Sequence, residues 1–301
     1  MAHLAPGELR RFSADPIEGV GYRLDIDYVG DGAPEHRLDV LVPLGAAGPL
    51  PVYVYFHGGG WTSGDKAPLT RYCAAQAIAG EGHTGMVVVN VNYRRAPRFH
   101  MEHMLSDANA ALAWVSENIA SLGGDPGRIV LGGDSAGGQI SALLAAAMGR
   151  PELAAHYGID PAVPAGSIRG LVQHCSISDF SVIFERGFVL GLGFVRMLLP
   201  GRGRGEHLER AARFLSPIEW IDRTYPPVLV TTSRRDYLYR ANLNFIAALR
   251  RHGVGVETLV DDDALHTWQQ DSRHPASAEV YSRLRLFVAS VTQRNTASAE
   301  A

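Results

Sequence analysis

Five runs of almost unbroken apolar, valine-rich sequence constrain this chain more than any other feature: VYVYF (52–56), MVVVNVNY (86–93), RIVLGG (128–133), GLVQHCSI (170–177) and PVLVTTS (227–233). A strand covered on both faces has no reason to alternate apolar with polar residues, so such runs belong inside a parallel sheet. Helical patterns at 67–80, 105–121, 136–148 and 240–252 lie between most of them. That alternation predicts a doubly wound α/β sheet. Ahead of it, YRLDIDYVG (22–30) and HRLDVLVPL (36–44) alternate with period two around the turn-rich DGAP, the pattern of an antiparallel hairpin. The strand VETLV (256–260) and the helix SAEVYSRLRLFVAS (277–290) close the series. The expected fold is one α/β domain over 1–301, with a mostly parallel central sheet, antiparallel N-terminal strands, helices on both faces and a frayed tail at 292–301.

Composition narrows the function. The 301 residues are 46% hydrophobic and 20% charged, enough for one large core. A net charge of −3 offers no basic footprint for nucleic acid. Cys73 and Cys175 are too few for a disulfide framework, show no metal-binding spacing and read as small buried side chains. The N-terminal MAHLAPGELRRFSADP lacks the apolar core of a signal peptide. FVLGLGFVRMLLP (188–200) is too short to span a bilayer and contains Arg196. A soluble, cytoplasmic protein is expected.

One connection is too long for an ordinary loop. About fifty residues separate Ile177 from the strand at Val228, among them 188–200, the GRGRG at 201–205 and the polar helix EHLERAARFL. They form either a surface excursion or, over about 179–215, a lid that turns Phe188, Leu192, Phe194 and Leu198 toward a ligand.

The stretch RIVLGGDSAGGQISALLAAAM reads as strand, sharp turn, helix, and Gly133–Gly137 fits G-x-S-x-G with Ser135 at the turn. Such a turn lifts the hydroxyl above the sheet beside the positive end of a helix. The rival reading, a dinucleotide phosphate turn, belongs at the first βα turn and needs an acid about twenty residues on; here Met148, Gly149 and Arg150 lie downstream.

A serine nucleophile needs a base, and the base needs an orienting acid, in chain order Ser, Asp, His for this kind of turn. Asp236 follows the strand 227–233 and His266 follows the strand 256–260, both at carboxyl strand ends where ligands collect in open α/β sheets. Asp236 has a second reading as the cap of the helix near Tyr239, and Asp179 is a rival acid. Asp261–Asp263 reads as a solvated turn. His100, His103, His174 and His252 sit before, within or at the ends of other elements, which leaves His266 as the base.

The glycine run FHGGGW (56–61) then has a purpose. Attack on a carbonyl creates an oxyanion that needs preorganised donors, and the amides of Gly58 and Gly59, with that of Ala136, are the candidates. His57 is expected to brace the loop. Trp61 either packs against the pocket or lies in the core.

Together these residues resemble the α/β-hydrolase fold, specifically the hormone-sensitive-lipase-like and acetyl-esterase group of carboxylesterases. The resemblance rests on HGGGW (57–61), VNYRRAP (91–97), GDSAGG (133–138), SPIEWIDRTYPPVLV (216–230), Asp236 and His266, and spans roughly 20–290. It implies a Ser135–His266–Asp236 triad, an oxyanion hole from the glycine loop and no cofactor or metal. The chain departs from the family in YRRAPR (93–98) and SRRDYL (233–238). Arg94, Arg95, Arg98, Arg234 and Arg235 there either form surface ion pairs or favour a substrate bearing a carboxylate.

The expected activity is hydrolysis of small or aromatic carboxylic esters through an acyl-enzyme. Arylformamide hydrolysis with the same triad is the second reading, and a non-catalytic small-molecule receptor the third. The partner is a small-molecule ester, without nucleic acid or membrane span, and the chain acts alone or as a homodimer.

Overall fold

The computed structural model describes residues 15–80, 83–185, 191–199 and 206–293. Eight strands form one sheet: β1 Val20–Asp27, β2 Arg37–Pro43, β3 Leu50–Phe56, β4 Val87–Val91, β5 Gly124–Asp134, β6 Ile168–His174, β7 Val228–Ser233 and β8 Val256–Asp261. Their spatial order is β1-β2-β4-β3-β5-β6-β7-β8. β2 runs antiparallel to both β1 and β4, and every later neighbour pair is parallel. The fold is the α/β-hydrolase fold that the sequence resemblance implies.

The unbroken valine runs are explained by position. β3 pairs with β4 on one side and β5 on the other, and all seven of its residues are buried. β8, at the edge, buries fully only Leu259 and alternates elsewhere. Two apolar clusters lie on the two faces. One gathers Val52, Val54, Phe56, Val89 and Leu131 with the helices beneath them; the other gathers Tyr53, Tyr55, Val88, Val130 and Val172.

The described helices are α1 Thr70–Ala77, α2 Met101–Asn118, α3 Ser135–Gly149, α4 Pro151–Tyr157, α5 Gly191–Leu198, α6 Glu206–Leu215, α7 Tyr239–Arg251 and α8 Ser277–Val291. α2 starts four residues before the expected 105, because His100 and His103 form a reciprocal cap at its N-terminus. α4 was not visible in the periodicity: it is one short piece, opened by Pro151 and closed by the left-handed Gly158. α5 and α6 occupy the long connection between β6 and β7.

Candidate active site

β5 ends on Asp134 and α3 begins at Ser135, with no residue between them. The turn holds Ser135 at φ +50°, a left-handed conformation uncommon outside glycine. A Cβ on Gly137 would land on the carbonyl oxygen of Phe56, so only glycine lets the first turn of α3 pass the end of β3 this closely. Ser135 lines a cavity of about 390 Å³, together with His57, Gly58, Gly59, Gly60, Phe194, Tyr237 and His266.

Asp236 and His266 meet at the carboxyl ends of β7 and β8. His266 Nδ1 donates to Asp236 Oδ2 at 2.9 Å, and the Asp236 carboxylate is closed to solvent. Asp236 does not cap α7, whose N-cap is Leu238; its other oxygen accepts the Leu238 N–H at 2.7 Å in the turn ahead of the helix. His266 and Ser135 face the same cavity; among the described residues no hydrogen bond yet joins them. Asp179, the rival acid, is occupied elsewhere. It accepts from Ser181 N at 2.9 Å and from Asn244 at 2.6 Å. Asp261 closes its own turn by accepting the N–H groups of Asp263 and Ala264.

The glycine loop departs from expectation at one residue. The Gly58 N–H donates to Asp134 Oδ1 at 2.9 Å, so it is spent on a buried carboxylate and is not free for an oxyanion. No acceptor among the described residues takes the N–H of Gly59, Gly60 or Ala136. Gly59, at φ +121°, accepts Thr62 N–H and Ser63 N–H on its carbonyl, which turns the loop back on itself. His57 braces this loop. Its Nδ1 lies 2.7 Å from the Gly58 carbonyl, its ring stacks on Tyr93 at 4.5 Å, and Tyr93 donates to its carbonyl at 2.7 Å. Burial pushes the imidazole down to about 4, which keeps it neutral.

Asp134 was not singled out in the sequence, yet it joins the two glycine turns. It accepts from the Tyr55 hydroxyl and from Gly58, and Gln270 reaches the same Tyr55 hydroxyl at 3.5 Å. Burial raises its carboxyl, against those hydrogen bonds, which hold it down. An acid placed between a buried strand and the nucleophile was the available signal.

Trp61 requires correction as a pocket residue. It is 1% exposed, its Nε1 donates to Gln139 at 3.0 Å, and its ring packs on Phe180 and Phe194. Phe194 does reach the cavity, from α5, and lies against Gly60. Phe188 lies outside the described residues, as does the side chain of Leu192. Leu198 is buried and faces the core. Two of the arginines take the ion-pair reading: Arg94 grips Asp107 through several hydrogen bonds and Arg234 pairs with Asp262 at 2.6 Å, whereas Arg95 donates to the Gly64 carbonyl. Arg98 lies over the Phe99 ring, and Arg235 reaches the Asp263 carbonyl. None of the five lines the cavity.

Beneath His266 lies Cys175, fully buried at φ +48°. The ligand atoms of Cys175, Asp236 and His266 lie within 4.8 Å of one another, a soft-metal donor set in principle. The chemistry favours a hydrogen-bonded thiol instead. Burial pushes the thiol well above its ordinary value, the Asp236 charge adds to this, and His266 Nδ1 is already committed to Asp236.

With the geometry in place, the comparisons with known proteins are consistent with one another. Residues 53–270 match the family model described as alpha/beta hydrolase fold. The chain is 31% identical over 292 residues to carboxylesterase NlhH of Mycobacterium tuberculosis, covering 93% of this chain and 86% of that protein. It is 30% identical over 258 residues to esterase LipQ of the same organism, covering 83% and 56%. Among solved structures, esterase B from Lactobacillus rhamnosis superposes with a TM-score of 0.83 at 20% identity, over 97% of this chain and 92% of that one. A bacterial heroin esterase superposes with a TM-score of 0.77 at 22% identity, over 97% and 91%. No described helix is long and apolar enough to cross a membrane.

Proposed function

The chain belongs to the α/β-hydrolase fold family and hydrolyses carboxylic esters; we propose that it does so through an acyl-enzyme formed on Ser135. The observation that carries this reading is the 2.9 Å contact of His266 with the closed carboxylate of Asp236, beside a left-handed serine in one cavity. With Nδ1–H donated to Asp236, the lone pair of Nε2 is left to take the Ser135 proton. Ser135 Oγ attacks the ester carbon, the alcohol leaves with that proton, and His266 then activates water to release the acid. The nucleophile–base hydrogen bond closes when substrate arrives, as is common in ligand-free hydrolases.

The oxyanion falls to the amides of Gly59, Gly60 and Ala136, whose N–H groups have no acceptor among the described residues. α5 and α6 act as the lid, since Phe194 closes one wall of the cavity. A volume of about 390 Å³ lined by Phe194 and Tyr237 together with Thr62, Ser63 and Gln270 suits a small acyl group or a single aromatic ring.

A fluorophosphonate should label Ser135 alone, as read by peptide mapping. Ser135→Ala should lower ester turnover by about 10⁴-fold or more. Label on another residue, or turnover kept by the variant, overturns the assignment.

A further inference from the structure

Tyr237 stands beside Ser135 and His266 with no part in the mechanism above. It follows Asp236 directly on the loop between β7 and α7, and it lines the cavity with both. Its ring centre lies 4.5 Å from that of the His266 imidazole, tilted by 39°. The residue nevertheless keeps 44% of its surface exposed, so it is not held there as part of the core. A tyrosine held against the imidazole of His266 with its ring half open, in the cavity that Ser135 also lines, offers its hydroxyl to whatever binds there.

We propose that Tyr237 is a catalytic residue that donates a hydrogen bond to the alcohol oxygen of the ester as that oxygen departs. This rests on the acyl-enzyme reading of Ser135. In the tetrahedral adduct the serine oxygen and the alcohol oxygen are bonded to the same carbon, one bond angle apart. A tyrosine that shares the cavity with Ser135 and packs on His266 is placed to turn its hydroxyl to the second. On collapse, the bond from carbon to the alcohol oxygen breaks and its electron pair stays on that oxygen. His266 Nε2 returns the proton it took from Ser135 to the same oxygen. Tyr237 transfers no proton; its O–H shares the negative charge until the imidazole has delivered its own.

The local electrostatics suit a donor. Burial, reinforced by the charge of Asp236, pushes the phenol up to about 12. The hydroxyl thus keeps its proton wherever an imidazole base works. The inference also explains why a large aromatic side chain sits at the mouth next to the acid, where a smaller one would leave more room for substrate.

Leaving groups separate this task from a structural one. p-Nitrophenolate departs without assistance, whereas ethoxide does not. In Tyr237→Phe, which keeps the ring against His266, kcat/KM for ethyl acetate divided by that for p-nitrophenyl acetate should fall at least about tenfold. A displaced imidazole would slow attack on both esters and leave the ratio near its starting value. A ratio that falls by less than about threefold overturns the inference, whether both rates drop or neither does. If Ser135→Ala turns over both esters like the unaltered protein, the acyl-enzyme reading fails, and the inference falls with it for a different, recognisable reason.

Discussion

Asp236 serves two partners with one carboxylate. Oδ1 takes the Leu238 N–H and so fixes the side chain before the imidazole meets Oδ2. Asparagine there keeps the shape but must turn an N–H toward either Leu238 or the protonated Nδ1. The expected outcome for Asp236→Asn is a loss of about 10³–10⁴ in kcat, through the wrong imidazole tautomer, with the melting temperature within a few degrees of the unaltered protein. Steady-state kinetics beside thermal unfolding would check it, and an unchanged kcat would remove Asp236 from the mechanism. Asp236 and His266 could be read from the sequence because each lies a few residues past the carboxyl end of a strand. Gly58 could not. Whether its amide is free depends on Asp134, 76 positions away, whose carboxylate only the folded sheet brings under the loop. Tyr237 was equally hidden, since nothing in SRRDYL shows which way the loop turns after the acid.

The strands were legible element by element, because a run such as VYVYF has only one environment in which every residue can be buried. The insertion was legible only as an excess of length. Its two helices are amphipathic, but periodicity does not say which wall of which cavity they meet; only the packing of Phe194 on Gly60 and Trp61 does. The glycine loop makes the sharpest prediction at this scale. Gly59 sits at φ +121°, and a Cβ there would strike the carbonyl of Ser63, the residue whose N–H closes the loop onto the Gly59 carbonyl. Gly59→Ala should cost about 100-fold or more in kcat/KM, the scale of losing one oxyanion donor, because the backbone must shift to admit the methyl group. A variant within a few-fold of the unaltered protein would show that the loop is not the oxyanion's support.

Two histidines make the whole molecule sensitive to acid. His57 and His174 are fully buried, and burial pushes them from the ordinary 6.5 to about 4 and about 3. His174 is held between the Tyr72 hydroxyl at 3.1 Å and the Thr231 hydroxyl at 2.6 Å, at the end of β6. Above pH 6.5 neither the folded nor the unfolded chain carries these protons. Between 6.5 and about 4 the unfolded chain binds protons that the folded one refuses, so stability falls as the pH drops. Each site costs on the order of 3 kcal/mol by the end of that window. Urea midpoints should therefore decline steadily from pH 7 to pH 4.5; a flat profile would contradict the neutral burial of both rings. The carboxylate of Asp134 has a different whole-molecule consequence. By clasping Tyr55 and Gly58 at once it locks both glycine turns into a single block, against which α5 leans through Phe194, alone among the described cavity-lining residues of the insertion. Repertoire and reaction are thereby uncoupled: grafting another segment between β6 and β7 would retune what enters, while the machinery that breaks the bond stays as it was.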